Sequence, residues 1–300
     1  MRRDVDFQSE GRVLRGWLYA PEGEARSRPC IVMAHGLSAV KEQYLDRYAE
    51  VLAAAGLGVL VYDHANFGAS DGWPRQEADP VLQRRGYRDA ISFAQTMSWI
   101  DPARIGLWGT SYSGGHVLEV AALDRRVRCI VSQVPTISGY RSALRRIRAD
   151  LVPALLSRLD ADRAARFRGE EPATFPAVSD DPRESCAMGG SDAFAFFTQT
   201  QDFAPAWRNA LTLRSAELAR ENEPAIHIAR ISPTPLLMIV ADHDLLTATD
   251  LCLEAYQQAL PPKQLMLIAG GHFDPYVRHF AQTSTAARDW FRAHLVDGRA

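Results

Sequence analysis

The chain of 300 residues is long enough to bury the core of one large α/β domain or of two small ones. Hydrophobic residues make up 47% and charged residues 23%, as in an ordinary globular protein. A formal net charge of -2 provides no global field that would draw the chain to nucleic acid or to an anionic membrane. The N-terminus lacks the apolar stretch of a signal peptide, and no apolar run approaches the roughly 20 residues that span a bilayer. We therefore expect a soluble cytoplasmic protein with neither nucleic acid nor a membrane as a partner.

The cysteines and histidines are not spaced as metal ligands. The four cysteines lie too far apart to form a metal-binding pair or a redox CxxC motif: Cys30, Cys129, Cys186 and Cys252. Two of them, Cys30 and Cys129, adjoin β-type runs, where a buried reduced thiol behaves as a small apolar side chain. We expect neither a metal nor an organic cofactor.

Short apolar runs alternate with longer helical stretches along the chain, which predicts an α/β fold with a mostly parallel sheet covered by helices. The apolar runs predict strands at 13–19, 31–34, 58–62, 104–108, 127–134, 235–241 and 264–269. Apolar residues at helical spacing predict helices around 44–52, 87–99, 117–123 and 275–295.

The middle segment, 136–231, breaks this alternation and shows no convincing strand. Its first part carries apolar residues at spacings of three and four, as an amphipathic helix requires, and Pro153 should kink or divide that helix. A second apolar cluster is expected to pack within the segment: Phe194, Phe196, Phe197 and Trp207. We interpret 136–231 as a helical cap, inserted into a core domain formed by 1–135 and 232–300.

The sequence WGTSYSGG, which follows a predicted strand, has the pattern of a nucleophile elbow. Such an elbow needs a strand, a tight turn with small residues two positions either side of the nucleophile, and then a helix. Ser111 fits the nucleophile position, with Gly109 and Ser113 as the small residues, although the usual pattern ends in glycine. Ser113 is itself an alternative nucleophile, because Ser111 and Gly115 flank it at the same distance. We favour Ser111, which lies directly past the strand, with Gly114 and Gly115 placed where the following helix packs on the sheet.

The last two predicted strands are followed by an acidic pair and by a histidine. Asp242 and Asp244 follow one strand, and His272 follows the other. The carboxyl ends of parallel strands meet at one edge of the sheet, so these side chains should lie near Ser111. Asp244 is favoured over Asp242 as the acid, because it lies further into the loop and can reach His272. His272 would then take the proton of the nucleophile, while the acid holds the imidazole in the required tautomer.

The other seven histidines are interpreted as structural or solvated. His35 belongs to a turn, His116 begins a helix, and His294 lies near the C-terminus. The remaining four have no strand-end context: His64, His227, His243 and His279.

An oxyanion hole needs two backbone N–H groups that are fixed before negative charge develops. The residue after the nucleophile usually supplies one, and here it is Tyr112. The other is expected from Leu37, in the His35-Gly36-Leu37 turn that follows an apolar strand.

Together these features resemble the α/β-hydrolase superfamily over nearly the whole chain. Residues 34–36 are similar to its oxyanion turn, and 63–72 resemble its D-x-x-G-x-G-x-S loop, with Ala69 at one expected glycine-like position. Residues 109–115 and 271–272 complete the resemblance. Within the superfamily the chain resembles bacterial esterases and the dienelactone-hydrolase or X-Pro-peptidase-like branch. It is also similar to fungal proteins that hydrolyse or transfer polyketide acyl groups from carrier thioesters.

The resemblance implies a serine hydrolase that cleaves an ester or thioester through an acyl-enzyme on Ser111. The serine argues against dehalogenases and epoxide hydrolases, which use an aspartate there. An acyltransferase and a lactonase remain alternatives, and a peptidase or a non-catalytic ligand-binding homologue is less favoured. The expected partner is a small ester or thioester. The segment from Arg141 to Arg168 holds eight arginines against three aspartates, which fits either a docking face for an anionic acyl carrier or, preferably, the solvated side of amphipathic helices.

Overall fold

The computed structural model of the protein describes residues 1–20 and 27–298. Within these ranges the strands are β1 (Arg2–Ser9), β2 (Arg12–Tyr19), β3 (Arg28–Ala34), β4 (Gly58–Tyr62), β5 (Ile100–Thr110), β6 (Val127–Gln133), β7 (Thr174–Phe175), β8 (Val178–Ser179), β9 (Met188–Gly189), β10 (Leu211–Thr212), β11 (Leu236–Ala241) and β12 (Lys263–Ile268). The α-helices are α1 (Leu45–Ala54), α2 (Pro80–Gln95), α3 (Tyr112–Leu123), α4 (Gly139–Arg146), α5 (Val152–Phe167), α6 (Ser191–Thr198), α7 (Leu213–Glu221), α8 (Thr249–Gln258) and α9 (Phe280–Leu295). Two 3-10 helices lie at Ala149–Leu151 and Pro224–Ile231.

Eight strands form one mixed sheet in the order β1-β2-β4-β3-β5-β6-β11-β12. The pairs β1–β2 and β2–β4 are antiparallel, and the other neighbours are parallel. The predicted α/β class with a mostly parallel sheet and flanking helices is confirmed. The chain leaves β3 toward β4 on one side and returns to β5 on the other, so the strand order reverses between β3 and β5. Ligands of open α/β sheets bind at such a reversal, beyond the carboxyl ends of the strands.

The register of the central strands brings their following turns together. The last residue of β3, Ala34, pairs with Gly109 of β5, so the turn after β3 lies beside the turn after β5. Farther along the sheet, Ile239 of β11 pairs with Gln133 of β6, and Ala241 pairs with Ile268 of β12. The loops after β3, β5, β11 and β12 therefore share one edge of the sheet.

Both faces of the sheet are buried, as parallel strands covered by helices require. Along β3 the side chains alternate between the two faces. Cys30, Val32 and Ala34 pack in the cluster with α2, α3 and α8. Ile31 and Met33 pack in the cluster with α1, α6 and α9. No helix in the described part of the chain is long and apolar enough to cross a membrane.

The inserted segment, 136–231, differs in detail from the prediction. The first predicted helix divides at Ile147, whose backbone is extended, and not at Pro153. Pro153 lies in the first turn of α5, where a missing N–H costs no helical hydrogen bond. The expectation of no strand was wrong, because β7 pairs with β10 and β8 with β9. Strands of two residues are too short to produce a periodic pattern.

The sequence analysis also missed the edge strand β1. Only Phe7 and Ser9 of this strand are buried, and its first residues are mostly charged. A half-exposed edge strand has little hydrophobic alternation to detect. The closing helix begins at Phe280, later than the predicted 275, because turns occupy most of the residues between His272 and that point.

Candidate active site

The turn between β5 and α3 holds Ser111 in a strained backbone conformation. Its φ of 56° and ψ of -116° lie in a region that side chains other than glycine rarely adopt. Close backbone packing accompanies this conformation. A Cβ atom added to Gly109 would stand 2.2 Å from the carbonyl oxygen of Ser113, so only glycine fits there. The strand, tight turn and helix predicted from WGTSYSGG are present, with Ser111 at the N-terminus of α3.

A continuous hydrogen-bond chain runs from Ser111 through His272 to Asp244. Ser111 Oγ lies 2.9 Å from His272 Nε2, and His272 Nδ1 lies 2.7 Å from Asp244 Oδ2. His272 and Asp244 are 2% and 4% exposed, so water does not compete for these bonds. An ionised carboxylate only accepts hydrogen bonds, so Nδ1 carries the proton and Nε2 can accept the hydroxyl proton of Ser111.

The loop after β11 supports the Asp244 carboxylate. The backbone N–H groups of Leu246 and Thr247 donate to Oδ1 at 2.8 and 2.9 Å, and the Thr247 hydroxyl donates to Oδ2 at 2.8 Å. Burial alone would raise the pKa of Asp244, but its electrostatic interaction and hydrogen bond with His272 and the donors from Thr247 lower it below its usual value. Asp244 is therefore ionised at neutral pH.

The alternative acid, Asp242, lies away from His272. Its Oδ1 accepts hydrogen bonds from the backbone N–H of Gly270 at 2.8 Å and from His243 Nδ1 at 2.5 Å. This carboxylate ties the loop after β11 to the loop after β12. The structure thus brings Asp244, and not Asp242, to His272.

The alternative nucleophile, Ser113, is buried behind the elbow. Its hydroxyl donates to the carbonyl oxygen of His35 at 2.5 Å and lies 2.8 Å from His64 Nε2. The structure places Ser111, and not Ser113, beside His272. His64 itself lies two residues after β4, so the interpretation that it has no strand-end context was wrong. Its place just after a strand, the kind of signal that singled out His272, could have identified it.

The turn after β3 lies in contact with the elbow. A Cβ atom added to Gly36 would stand 3.0 Å from Ser111 Cβ and 3.4 Å from Ser111 Oγ. Leu37, the next residue, makes no backbone N–H hydrogen bond within the described residues. Tyr112 begins α3, and the first N–H groups of a helix have no partner inside it. Two candidate oxyanion donors therefore flank Ser111.

A buried polar network fixes the turn after β3. His35 Nδ1 donates to the carbonyl oxygen of Gly36 at 2.9 Å, and His35 Nε2 accepts the backbone N–H of His64 at 3.1 Å. Burial lowers the pKa of His35 more than the nearby Asp63 raises it, so the ring is neutral. Below it, Lys41 Nζ pairs with Asp63 Oδ2 at 2.7 Å. The sequence analysis did not identify Lys41 or His64 as residues that hold the turn after β3 in place.

Ser111 opens into a small, partly enclosed pocket. From the core the pocket is lined by Leu37, Ser111, Tyr112, Leu246 and Thr247. From the inserted segment it is lined by Thr136, Gly139, Ser142, Arg146, Met188 and Ala219. Among residues 1–20 and 27–298, no three His, Cys, Asp or Glu side chains are grouped so that they could hold a metal ion.

Residues 10–274 match the family model of the X-Pro dipeptidyl-peptidase, S15 family. The chain belongs to this family. Its resemblance to the α/β-hydrolase superfamily is confirmed, and it is a hydrolase of that superfamily. A curated relative, thiohydrolase aneE of Aspergillus aculeatus, is 34% identical over 274 residues, which cover 87% of this chain and 83% of that protein.

Two further matches, one to a curated relative and one to a solved structure, cover nearly the whole of this S15-family chain. Polyketide transferase grgF of a Penicillium species is 28% identical over 297 residues, which cover 98% of this chain and 97% of that protein. The crystal structure of the α/β hydrolase GrgF from Penicillium sp. sh18 superposes with a TM-score of 0.85 at 27% identity. That superposition covers 98% of this chain and 99% of the other. The similarity therefore includes the inserted segment.

Proposed function

We propose that the chain is a serine thioesterase, which cleaves an acyl thioester or a carboxylic ester through an acyl-enzyme on Ser111. The observation that carries this proposal is the hydrogen-bond chain from Ser111 through His272 to Asp244, which begins inside a pocket. The choice of a thioester is supported by the relative that is named a thiohydrolase and covers most of the chain.

In the acylation step, His272 Nε2 accepts the hydroxyl proton of Ser111 while Oγ bonds to the carbonyl carbon. Asp244 holds the imidazole in the productive tautomer and stabilises the imidazolium that forms. The backbone N–H groups of Leu37 and Tyr112 stabilise the negative oxygen of the tetrahedral intermediate, each by about 3 kcal/mol. The C–S bond then breaks, and His272 gives its proton to the departing thiolate.

In the deacylation step, water attacks the carbonyl carbon of the acyl group on Ser111. His272 accepts one proton of the water and then donates it to Ser111 Oγ as the C–Oγ bond breaks. The carboxylic acid is released and the hydroxyl of Ser111 is restored.

We propose that 136–231 is a cap on the core formed by 1–135 and 232–300. Met188 of β9 and Ala219 of α7 line the pocket above Ser111. Ion pairs between α4 and α8 attach the segment to the core, Arg141 with Glu254 and Arg145 with Asp250. A cap in this position shapes the acyl site and limits the access of water.

An acyltransferase is the second candidate. It is supported by the relative named a polyketide transferase, which matches the chain over 98% of its length. An alcohol or amine that replaced water would attack the same acyl-enzyme and yield an ester or an amide. The two functions share every step up to deacylation.

The first test measures thiol release from acyl N-acetylcysteamine thioesters and nitrophenol release from p-nitrophenyl esters, with acyl chains from acetyl to decanoyl. Wild type is expected to turn over, and Ser111→Ala to lose at least about 10³-fold in rate. A far-ultraviolet circular dichroism spectrum and a thermal unfolding curve establish that the variant is folded. Turnover retained by folded Ser111→Ala would contradict the assignment of the nucleophile.

A fluorophosphonate probe separates the remaining outcomes. If wild type is labelled at Ser111 but releases no product, the serine is activated and an acceptor is missing. Addition of alcohols and amines would then reveal the transferase. If wild type neither turns over nor becomes labelled, the catalytic proposal is rejected.

A further inference from the structure

One arginine on the pocket side of α4 differs from its neighbours. The sequence of α4, GYRSALRR, contains three arginines. Arg141 forms two hydrogen bonds to the Glu254 carboxylate, at 2.9 and 2.7 Å, and Arg145 pairs with Asp250. Arg146 has no carboxylate partner among residues 1–20 and 27–298. Its guanidinium makes only long hydrogen bonds of 3.4 Å, from Nε to the carbonyl oxygen of Ser142 and from Nη1 to that of Ala187.

Arg146 lies in the same pocket as Ser111. The residue is exposed to solvent, yet the protein packed around its guanidinium lowers the pKa of that group, an effect that the negative charge of Asp244 opposes. Both properties fit a side chain on the wall of a concave, water-accessible pocket. A guanidinium carries five N–H donors, of which these long bonds use two. At least three donors are available to a bound molecule.

A second polar group in the pocket also lacks a partner. The Ser142 hydroxyl is buried and has no hydrogen-bond partner in the described residues. Ser142 precedes Arg146 by four residues, so both side chains lie on one face of α4, and both line the pocket. A buried hydroxyl without a partner is unfavourable, and a bound acceptor would remove that cost. The Tyr112 hydroxyl is likewise buried without a partner in the described part of the chain.

We propose that Arg146 and Ser142 bind a carboxylate carried by the acyl group of the substrate. This inference rests on the proposed thioesterase function and names its substrate class, an acyl thioester with a second, ionised carboxyl group. A carboxylate accepts two parallel hydrogen bonds from a guanidinium and a further one from a hydroxyl, which matches the donors that are free. Asp244 cannot be the carboxylate that pairs with Arg146, because its oxygens are already bonded to His272, Leu246 and Thr247.

A phosphate is the other common anion in thioester substrates, on the pantetheine arm of coenzyme A or of an acyl carrier. That phosphate is separated from the thioester sulfur by a long arm containing two amide groups. Arg146 and Ser111 instead line one small pocket, so the anion must lie near the scissile carbonyl. The geometry therefore favours an anion on the acyl side of the substrate over the phosphate of the thiol arm.

The test compares monosuccinyl and monoglutaryl thioesters with the butyryl and pentanoyl thioesters, each made both on N-acetylcysteamine and on coenzyme A. The enzymes are wild type, Arg146→Met, and the control Arg148→Met, which removes a nearby exposed arginine that already pairs with Asp150. Wild type should prefer the carboxylated substrates. Arg146→Met should lose about 10- to 100-fold in kcat/KM on them and change less than about threefold on the neutral ones. Arg148→Met should retain the wild-type preference.

Three results would overturn the inference. The first is a wild type that hydrolyses neutral and carboxylated thioesters equally well, which leaves the thioesterase proposal intact. The second is a preference that survives in Arg146→Met. The third is a loss in Arg146→Met that is confined to coenzyme A thioesters, whatever the acyl group, because the anion would then be the phosphate of the leaving thiol. Absence of all turnover together with absence of fluorophosphonate labelling at Ser111 would instead reject the proposed function, and the inference with it.

Discussion

The Ser113 hydroxyl donates a hydrogen bond of 2.5 Å to the carbonyl oxygen of His35, and this bond joins the turn that holds Ser111 to the turn after β3. One turn holds Ser111 and Tyr112, and the other holds Leu37. The usual glycine at this motif position could not form the bond. His64 Nε2 completes the arrangement by donating to Ser113 Oγ at 2.8 Å. The departure from G-x-S-x-G thus supplies a cross-link under the candidate oxyanion hole.

Ser113→Ala is expected to reduce kcat about tenfold with little change in KM. The variant leaves the His35 carbonyl and the His64 N–H without their buried partner, which should lower the free energy of unfolding by about 1–3 kcal/mol. The two turns would then lose their fixed separation, and donors that stabilise only the transition state act through kcat. Steady-state kinetics on the best ester and urea unfolding measure the two effects.

Ser70→Ala is the matched control for this prediction. The Ser70 hydroxyl is also buried and donates to a carbonyl oxygen, that of Asp63, at 2.6 Å. Ser70→Ala should lower the free energy of unfolding by a similar amount, while kcat stays within about threefold of wild type. If both variants lost kcat in proportion to stability, Ser113 would have only a structural role.

Much of the fold was readable from the sequence because buried parallel strands appear as continuous apolar runs. The ends of those runs also indicated Ser111, Asp244 and His272, because residues after parallel strands meet at one edge. Hydrogen bonds between distant turns, such as that of Ser113, depend on side-chain directions that no local pattern encodes. The sequence also does not show which arginines of α4 find a carboxylate: in the described residues Glu254 and Asp250 of α8 pair with Arg141 and Arg145, and none pairs with Arg146.

Gly36→Ala is expected to lower kcat by about 10- to 100-fold. The added methyl group would stand 3.0 Å from Ser111 Cβ, closer than ordinary van der Waals contact, so the turn or Ser111 must shift. Displacements of an ångström in a catalytic arrangement cost about that much in rate. The measurement is kcat and KM on a p-nitrophenyl ester, with unfolding followed in parallel.

Gly189→Ala provides the comparison for Gly36→Ala. The added Cβ would lie 3.7 Å from Cys186 Sγ, an ordinary contact, and Gly189 does not line the pocket. This variant should keep kcat within about twofold of wild type. Wild-type activity in Gly36→Ala would show that the turn after β3 tolerates displacement, which contradicts a fixed oxyanion hole.

Asp244→Asn and Asp242→Asn form a matched pair that tests the acid. An amide at position 244 can donate to His272 Nδ1 and favours the wrong tautomer, so kcat should fall by about 10³- to 10⁴-fold. Within the part of the chain that the structure describes, the Asp242 carboxylate bonds only to His243 and Gly270, so Asp242→Asn should change kcat less than about threefold. Equal losses in the two variants, or a larger loss at 242, would reverse the assignment.

Lys41→Met is expected to destabilise the fold by roughly 3–5 kcal/mol, because it leaves the fully buried Asp63 carboxylate without its cation. Urea unfolding at pH 7 measures this loss. Lys263 is the only other lysine of the chain, and its ammonium bonds to the carbonyl oxygen of Tyr256 at 2.8 Å. Lys263→Met should therefore cost only about 1 kcal/mol. The double variant Lys41→Met/Asp63→Asn should recover part of the loss, since it no longer buries an unpaired charge.

The stability that Lys41 provides should also depend on pH in a defined direction. Burial alone would lower the pKa of Lys41, but Asp63 and Glu42 raise it above its usual value. A raised pKa in the folded state means that this contribution is complete below the unfolded value of roughly 10.4 and is lost as the pH rises through the folded value. The difference in unfolding free energy between wild type and Lys41→Met should stay constant from about pH 6 to 9 and shrink above about pH 10.4. A difference that grew with alkaline pH would mean that the ammonium opposes folding, and that Asp63 is neutralised by another group.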